Sequence, residues 1–180
     1  MNVFGNLFLS LSAFAFVSAN ATPSIIDIVG LTPGITTAED LKPISEGRRY
    51  EISGFRLSCD PEFESEKLAS FTCFTGLPHY SYDLNSKDQR RQVTNNEIHE
   101  IFLKGFTKKF GPPGKVEKNN VKNAFGANFQ QHTAIWKDRA GNVLTISNMN
   151  GKIDAGVVML ESKSAHQQRN SKDVLADRKF

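Results

Sequence analysis

Long apolar runs and cysteines are scarce in this chain of 180 residues. The longest apolar stretch, at 7–17, spans about 11 residues, whereas a membrane-spanning helix needs roughly 20. Acidic and basic residues nearly balance, with 19 of the first and 22 of the second, so the formal net charge is only +3. A bias this small falls short of the basic stripe that nucleic-acid binders carry, and we predict no nucleic-acid partner.

The N-terminus has the pattern of a secretory signal peptide. Its apolar stretch is followed by Ser-Ala-Asn-Ala at 18–21, which is an A-x-A type of cleavage site. We predict a signal peptide over 1–21, a mature chain from Thr22 without a transmembrane segment, and a periplasmic or secreted location. The alternative is a buried N-terminal helix. The cleavage site has no cysteine, so it lacks the mark of a lipoprotein.

The only two cysteines, Cys59 and Cys73, both lie in the part predicted to be exported. Their spacing fits neither a C-x-x-C redox pair nor a zinc knuckle. In an oxidising compartment an even number of cysteines favours a disulfide, and closing a loop of about 15 residues contributes roughly 3 kcal/mol of stability. We therefore predict a structural disulfide between these residues.

Motifs for catalysis and metal binding are also lacking. The histidines His79, His99, His132 and His166 have no metal-ligand spacing, and we expect surface or boundary positions for them. No G-x-S-x-G elbow occurs. The acidic segment 60–66 lacks the order and the glycine of an EF-hand loop, so we interpret it as a solvated acidic loop, with calcium binding as the alternative. We predict no catalytic residue, metal or cofactor.

Short strand and turn signals alternate in the first half of the chain. Residues 24–31 are rich in β-branched side chains and predict a strand, and Thr36 with Glu39 predicts a short capped helix. Two further strands are predicted over 50–59 and 70–75, joined by the acidic segment.

The strongest local pattern lies between Thr94 and Gly111. Thr94 and Glu97 form a capping box, and lysines crowd the last turn before Gly111, where cations favour the helix dipole. Apolar side chains recur at helical spacing and predict one buried stripe along a long amphipathic helix. The members of this stripe are Ile98, Ile101, Phe102, Phe106 and Phe110.

The last third of the chain predicts a meander of three antiparallel strands. Two strands, over 133–137 and 142–147, are separated by the turn sequence Asp-Arg-Ala-Gly, and a third covers 156–161. The polar stretch 119–131 is expected to be an exposed connection. The charged tail, 162–180, predicts either a frayed helix or a disordered arm.

Two stretches carry a resemblance to known proteins. Residues 28–41 look like a strand followed by a G-x-T-x-x-E type of helix start, and residues 106–144 contain a K-[YF]-G-x-P-like helix end and a W-x-D-x-x-G-like hairpin. In these features the chain resembles small exported bacterial proteins with tandem helix-plus-antiparallel-sheet modules, similar to the β-lactamase inhibitor protein and the outer-membrane assembly lipoproteins. The resemblance implies a binding or scaffolding role. The anchoring cysteine of the lipoprotein members is lacking.

Together these patterns predict an α+β fold in which one long and one short helix pack on an antiparallel sheet. We predict a single domain over 22–161. This domain could consist of two tandem helix-then-strands modules, over 22–77 and 94–161. The leading hypothesis is an exported, non-enzymatic binding or structural protein of the cell envelope that engages a protein partner through an exposed sheet face or edge. The alternatives are a small secreted hydrolase, whose site is assembled from distant residues, and a module that binds anionic glycan or lipid.

Candidate contact residues follow from the same patterns. Trp136 is either a buried anchor or an exposed binding aromatic. Lysines on the long helix and after it predict either a solvated helix face or a weak contact with an anionic surface. These lysines are Lys104, Lys108, Lys109 and Lys115, with Lys118 and Lys122 further along.

Overall fold

A computed structural model describes residues 22–41, 48–75, 93–122, 125–152 and 155–177. The predicted signal peptide lies outside these residues. The described strands and helices are, in chain order, β1 (Arg49–Ile52), β2 (Phe55–Glu64), β3 (Lys67–Thr75), α1 (Asn95–Phe110), β4 (Lys115–Lys122), β5 (Asn128–Lys137), β6 (Val143–Lys152), β7 (Ala155–Glu161) and α2 (Lys163–Asp177).

The strands form one seven-stranded sheet in the order β1-β2-β3-β7-β6-β5-β4. Every neighbouring pair is antiparallel, so the protein belongs to the α+β class. The predicted meander is confirmed as β5, β6 and β7, with Trp136 opposite Leu144 and Leu144 opposite Leu160. Pairing of β3 with β7 joins this meander to the first three strands.

The strands predicted over 50–59 and 70–75 are joined by turns at other positions in the structure. Ser53 and Gly54 have φ angles of 51° and 84°, as in a type I′ turn, so the stretch predicted as one strand is the β1–β2 hairpin. The acidic loop is also a wrong prediction, because β2 continues to Glu64 and the chain turns only at Ser65 and Glu66. All side chains from 62 to 64 are exposed, so no alternation reveals this strand end in the sequence.

Residues 22–41 form turns and two isolated bridges, so the strand over 24–31 and the short helix are wrong predictions for the described residues. The Thr36 hydroxyl accepts a hydrogen bond from the backbone N–H of Thr32 at 2.8 Å, and therefore closes a turn behind it. Thr37 donates its own N–H and hydroxyl to Asp40 Oδ2 at 2.7 and 2.8 Å. These side-chain bonds satisfy the backbone locally and replace a helical start.

Helix α1 begins and ends as predicted. Thr94 Oγ1 accepts the N–H of Glu97 at 3.2 Å, and Glu97 Oε2 accepts the N–H of Thr94 at 2.9 Å, which completes the capping box. Gly111, with φ 83°, donates its N–H to the carbonyl of Thr107. Glycine adopts this left-handed φ at low cost, so the helix ends here.

The buried stripe of α1 differs from the prediction in one member, with His99 buried in place of Ile101. Ile98, Phe102 and the two later phenylalanines are buried, but Ile101 is 41% exposed and His99 only 6%. Since four residues cover slightly more than one helical turn, a stripe with steps of four drifts around the helix, here towards His99 and away from Ile101. The expectation of a surface or boundary position for His99 is therefore wrong.

Trp136 joins α1 to the sheet at the centre of the core. Its side chain is 1% exposed, and its ring lies 6.0 Å from that of Phe106, edge to face. The indole Nε1 donates a hydrogen bond of 2.8 Å to the carbonyl of Gly111, so it also fixes the end of α1. Of the two alternatives for Trp136, the buried anchor is the one observed.

The predicted disulfide joins Cys59 and Cys73, which lie opposite each other on β2 and β3. Both residues are fully buried on the face of the sheet that packs against α1. The bridge thus ties the two strands next to the β1 edge.

Candidate functional site

Strand β4 lies at the edge of the sheet opposite to β1. The exposed connection predicted over 119–131 is wrong, because β4 extends to Lys122 and β5 begins at Asn128. Strand β4 has eight residues, none of which is buried on either face. Its pairing with β5 is continuous, from Lys115 opposite Ile135 to Lys122 opposite Asn128. Val116 is 57% exposed. In the described sheet no strand lies beyond β4, so the outer edge of β4 presents backbone hydrogen-bonding groups.

The outer part of the β4–β5 hairpin has no regular ladder with β6. Regular pairing between β5 and β6 covers only 133–137 on β5, so the preceding half of β5 has β4 as its one ladder partner in the described sheet. The loop between the two strands contains Phe125, which is 96% exposed. We call the described residues 118–122 and 125–132 the hairpin arm.

The side chain of Asn148 connects the base of this arm to β6 and α1. The buried Asn148 side chain accepts the N–H of His132 through Oδ1 at 2.7 Å and donates through Nδ2 to the carbonyl of Gln130 at 3.1 Å. The same Nδ2 donates to Asn96 Oδ1 on α1 at 2.7 Å. The amide of Asn148 thus replaces backbone pairing where β6 loses register with its neighbours.

The predicted lysines divide between α1 and β4, and two of them are ion-paired. Lys109 Nζ lies 2.9 Å from Asp27 Oδ2, and Lys115 pairs with Glu117 on its own strand. Lys104 and Lys108 are exposed on α1. They do not join the paired residues in one uncompensated patch, so the anionic-surface hypothesis gains no support from their geometry.

Lys118 and Lys122 form a smaller cationic feature on β4 itself. Both are exposed, and neither has a carboxylate within ion-pair distance in the described part of the chain. They are four residues apart, so they point to the same face of the strand, separated by about 13 Å at 3.3 Å per residue.

The sheet face opposite α1 is much less open than the β4 edge. Every side chain from 143 to 149 on β6 is buried, as are six of the seven on β7. Polar residues such as Thr145 and Ser147 are among them. Of the two predicted contact surfaces, the edge therefore offers more accessible chain than the face.

Helix α2 meets this second face through the buried carboxylate of Glu161. Arg169 donates to both Glu161 oxygens, at 2.7 and 2.9 Å, and His166 Nδ1 lies 2.9 Å from Oε2. Burial raises the pKa of Glu161, but the hydrogen bonds from Arg169 and His166 outweigh it, so the pKa lies below its ordinary value. The carboxylate is thus ionised and anchors α2.

The Glu161–His166 pair resembles two members of a hydrolytic triad, but its third position is not a nucleophile. His166 Nε2 lies 3.2 Å from the side-chain amide of Asn170. An activated serine or cysteine would have to occupy that place. A groove of roughly 560 Å³ adjoins Glu161 and is lined by Phe63, Met159 and Arg169 among others. The geometry describes a helix anchor beside a groove.

His99 and His132 form the other cluster of titratable groups. Their rings are 6.2 Å apart, and the Nε2 atom of His99 is buried without a hydrogen-bond partner in the described structure. Burial lowers the pKa of His99 below its ordinary value; Glu100 opposes this shift and His132 adds to it. Among the described residues, no three His, Cys, Asp or Glu side chains gather in a way that could hold a metal ion.

The described structure is therefore an α+β protein with one long, exposed and basic sheet edge. Neither described helix combines the length and apolarity needed to cross a bilayer. Comparison of the chain with protein-family models, curated proteins and solved structures gave no match.

Lys118 and Lys122 are among the lysines noted in the sequence, but the sequence does not predict the strand on which they lie. Alternation identifies a strand only when one face is buried, and β4 is exposed on both faces. Its Asn-Asn pair also has low strand propensity. The remaining signal is Gly126, with φ 81°, which marks a turn between β4 and the predicted strand at 133–137.

Proposed function

We propose that the protein is an exported, non-enzymatic binding protein of the cell envelope that engages a protein partner through the open edge of β4. In this mode an extended segment of the partner adds a strand to the sheet, and backbone hydrogen bonds supply much of the affinity. The observation that carries the proposal is an edge strand of eight residues without a buried side chain.

The disulfide supports the proposed location. A buried Cys59–Cys73 bridge is typical of proteins that fold in an oxidising compartment. The cleavage pattern at 18–21 provides the route of export. Expression with the native leader, followed by intact-mass analysis of the exported protein, tests this part: we expect a chain that begins at Thr22, and an uncleaved chain retained in the cytoplasm would contradict it.

The resemblance to exported tandem-module proteins implies the same kind of role. It stays a prediction, as does the division into two modules. A binding protein that presents part of a sheet to its partner agrees with both the resemblance and the β4 edge. The hydrolase alternative has no comparable support, because the Glu161–His166 pair contacts an amide where a nucleophile is required.

A pair of proline variants tests the edge. Successive strand residues direct their N–H groups alternately to β5 and to the open side. Of Asn119→Pro and Asn120→Pro, one therefore breaks the β4–β5 ladder and lowers the melting temperature. The other removes an outward donor and leaves the fold intact, since edge strands tolerate proline there.

The readout is affinity capture from the envelope fraction of the source organism, with mass spectrometry of the retained proteins. We expect a partner that the wild-type protein retains and that the stable proline variant loses. Equal retention by the wild type and the stable variant would contradict strand addition at β4.

A further inference from the structure

The charges of β4 indicate which kind of segment fits its edge. Side chains alternate between the two faces of a strand. Val116 lies opposite the buried Ala134, so the even-numbered residues of β4, including Lys118 and Lys122, share the face on which α1 packs. The odd-numbered residues include Lys115 and Glu117, which neutralise each other on the other face.

We propose that the segment bound at β4 is extended and carries two carboxylates four residues apart, which lie beside Lys118 and Lys122. This inference rests on the proposed function and adds the chemistry of the partner to it. In a strand pair, two side chains four residues apart on one strand face two others with the same spacing on its neighbour. Because Lys118 and Lys122 have no carboxylate partner among the described residues, they define both the charge and the spacing of the complementary residues.

A second copy of the chain fits this edge poorly. Two antiparallel strands related by a two-fold axis show the same face, so even-numbered residues meet even-numbered ones. Glu117 therefore never lies directly opposite Lys118 or Lys122 in such a dimer. Glu117 lies opposite Lys115 only when the two-fold axis passes through Val116. In that register Pro113, which lacks an N–H, lies only three residues from the axis and interrupts the ladder. In every other register, two strands that each carry three lysines and one glutamate would lie side by side without a lysine directly opposite a glutamate.

Two synthetic peptides of identical composition test the inference. Both contain threonine, valine and two glutamates; the glutamates are four residues apart in the first peptide and five apart in the second. A spacing of five places the two carboxylates on opposite faces of an extended chain. We expect the first peptide to bind more tightly and its affinity to fall as ionic strength rises. Equal affinity for both peptides would overturn the proposed spacing.

Matched charge reversals locate the contact. The variant Lys118→Glu with Lys122→Glu reverses the pair on β4, and Lys104→Glu with Lys108→Glu makes the same change of net charge on α1. We expect the first variant to lose roughly tenfold in affinity for the first peptide, the equivalent of two exposed ion pairs, while the second stays within about twofold. Equal losses in both variants would overturn the assignment to β4.

The envelope capture separates this inference from the proposed function. A partner that survives reversal of Lys118 and Lys122 but not the stable proline substitution would overturn the acidic segment and leave strand addition standing. A partner that survives both substitutions would overturn both proposals. A concentration-dependent dimer in analytical ultracentrifugation, dissociated by the stable proline substitution, would identify a second copy as the occupant and overturn the acidic segment.

Discussion

The two edge strands of the sheet, β1 and β4, differ in length and in the burial of their side chains. Strand β1 has four residues, and Tyr50 and Ile52 are buried between exposed neighbours. Strand β4 has eight residues and no buried side chain. Short edge strands limit unwanted pairing, whereas a long edge leaves a template for another strand. The difference indicates that β1 closes the core and that β4 is available for contact.

The contacts that hold the strands behind the two edges also differ. Behind β1, the Cys59–Cys73 bridge joins β2 to β3 in the core. Behind β4, polar side chains hold the hairpin arm: Asn148 bonds to β5 and α1, and Thr133 Oγ1 lies 3.2 Å from Ser147 Oγ. The β1 edge is thus more buried than the β4 edge, and we expect local stability to be lower at β4.

Core and edge substitutions should separate the two edges most clearly. Ile52→Ala removes a side chain that is 2% exposed and should lower the free energy of unfolding by about 2–5 kcal/mol. Val116→Ala removes a side chain that is 57% exposed and should change it by no more than about 0.5 kcal/mol. Urea unfolding of both variants measures the difference. Equal losses would show that β4 is as much a part of the core as β1.

Loss of the disulfide that lies behind β1 should have the next largest effect on stability. The double variant Cys59→Ala with Cys73→Ala releases a constraint on the unfolded chain and is expected to lose about 3 kcal/mol. Reduction of the wild-type protein under denaturing conditions, followed by refolding without oxidant, provides a second measurement. If the reduced protein and the double variant were both as stable as the oxidised wild type, the bridge would have no stabilising role.

A smaller effect is expected when the base of the arm is loosened. Asn148→Ala removes the side-chain bonds to His132, Gln130 and Asn96 and leaves the partly buried N–H of His132 without its partner. The expected cost is about 1–3 kcal/mol. Amide exchange should accelerate in β4 and the first half of β5 but not in β1. Uniform acceleration through the sheet would contradict a local role.

The pH dependence near the arm should be the smallest effect. Burial lowers the pKa of His99 in the folded state, so protonation favours the unfolded chain. Stability is therefore complete above the ordinary histidine pKa of about 6.5 and declines as pH falls below it. His99→Leu should reduce this decline and relieve the buried, unpartnered Nε2. The same decline in the variant and the wild type, measured by urea unfolding at pH 7 and pH 5, would contradict the assignment.

The sequence predicts the parts of the fold whose signals are local or one-sided. The capping box of α1 is confirmed, and so are the Asp-Arg-Ala-Gly hairpin turn and the pairing of two cysteines. The first two depend on short-range bonding or on alternation across a half-buried strand, whereas the disulfide follows from the even number of cysteines and the predicted export. The mature N-terminus and the partner stay predictions.

The errors arise where tertiary contacts decide. Ile26, Ile28 and Leu31 are apolar residues typical of a strand, and they are buried in the core although their segment forms no strand. The backbone N–H of Ile26 donates to the Asp138 side chain instead of to a neighbouring strand. Strand β4 has no buried face, so pattern analysis interprets it as a connection. The candidate site lies on the element that local patterns describe least well.

Hydrogen exchange of the protein alone and in its captured envelope complex tests the central claim most directly. Strand addition predicts that amides within 115–122 exchange more slowly in the complex, while those of 49–52 are unchanged, since only β4 gains a hydrogen-bonded neighbour. Unchanged exchange in β4, with new protection in the groove beside α2 or at β1, would contradict the account.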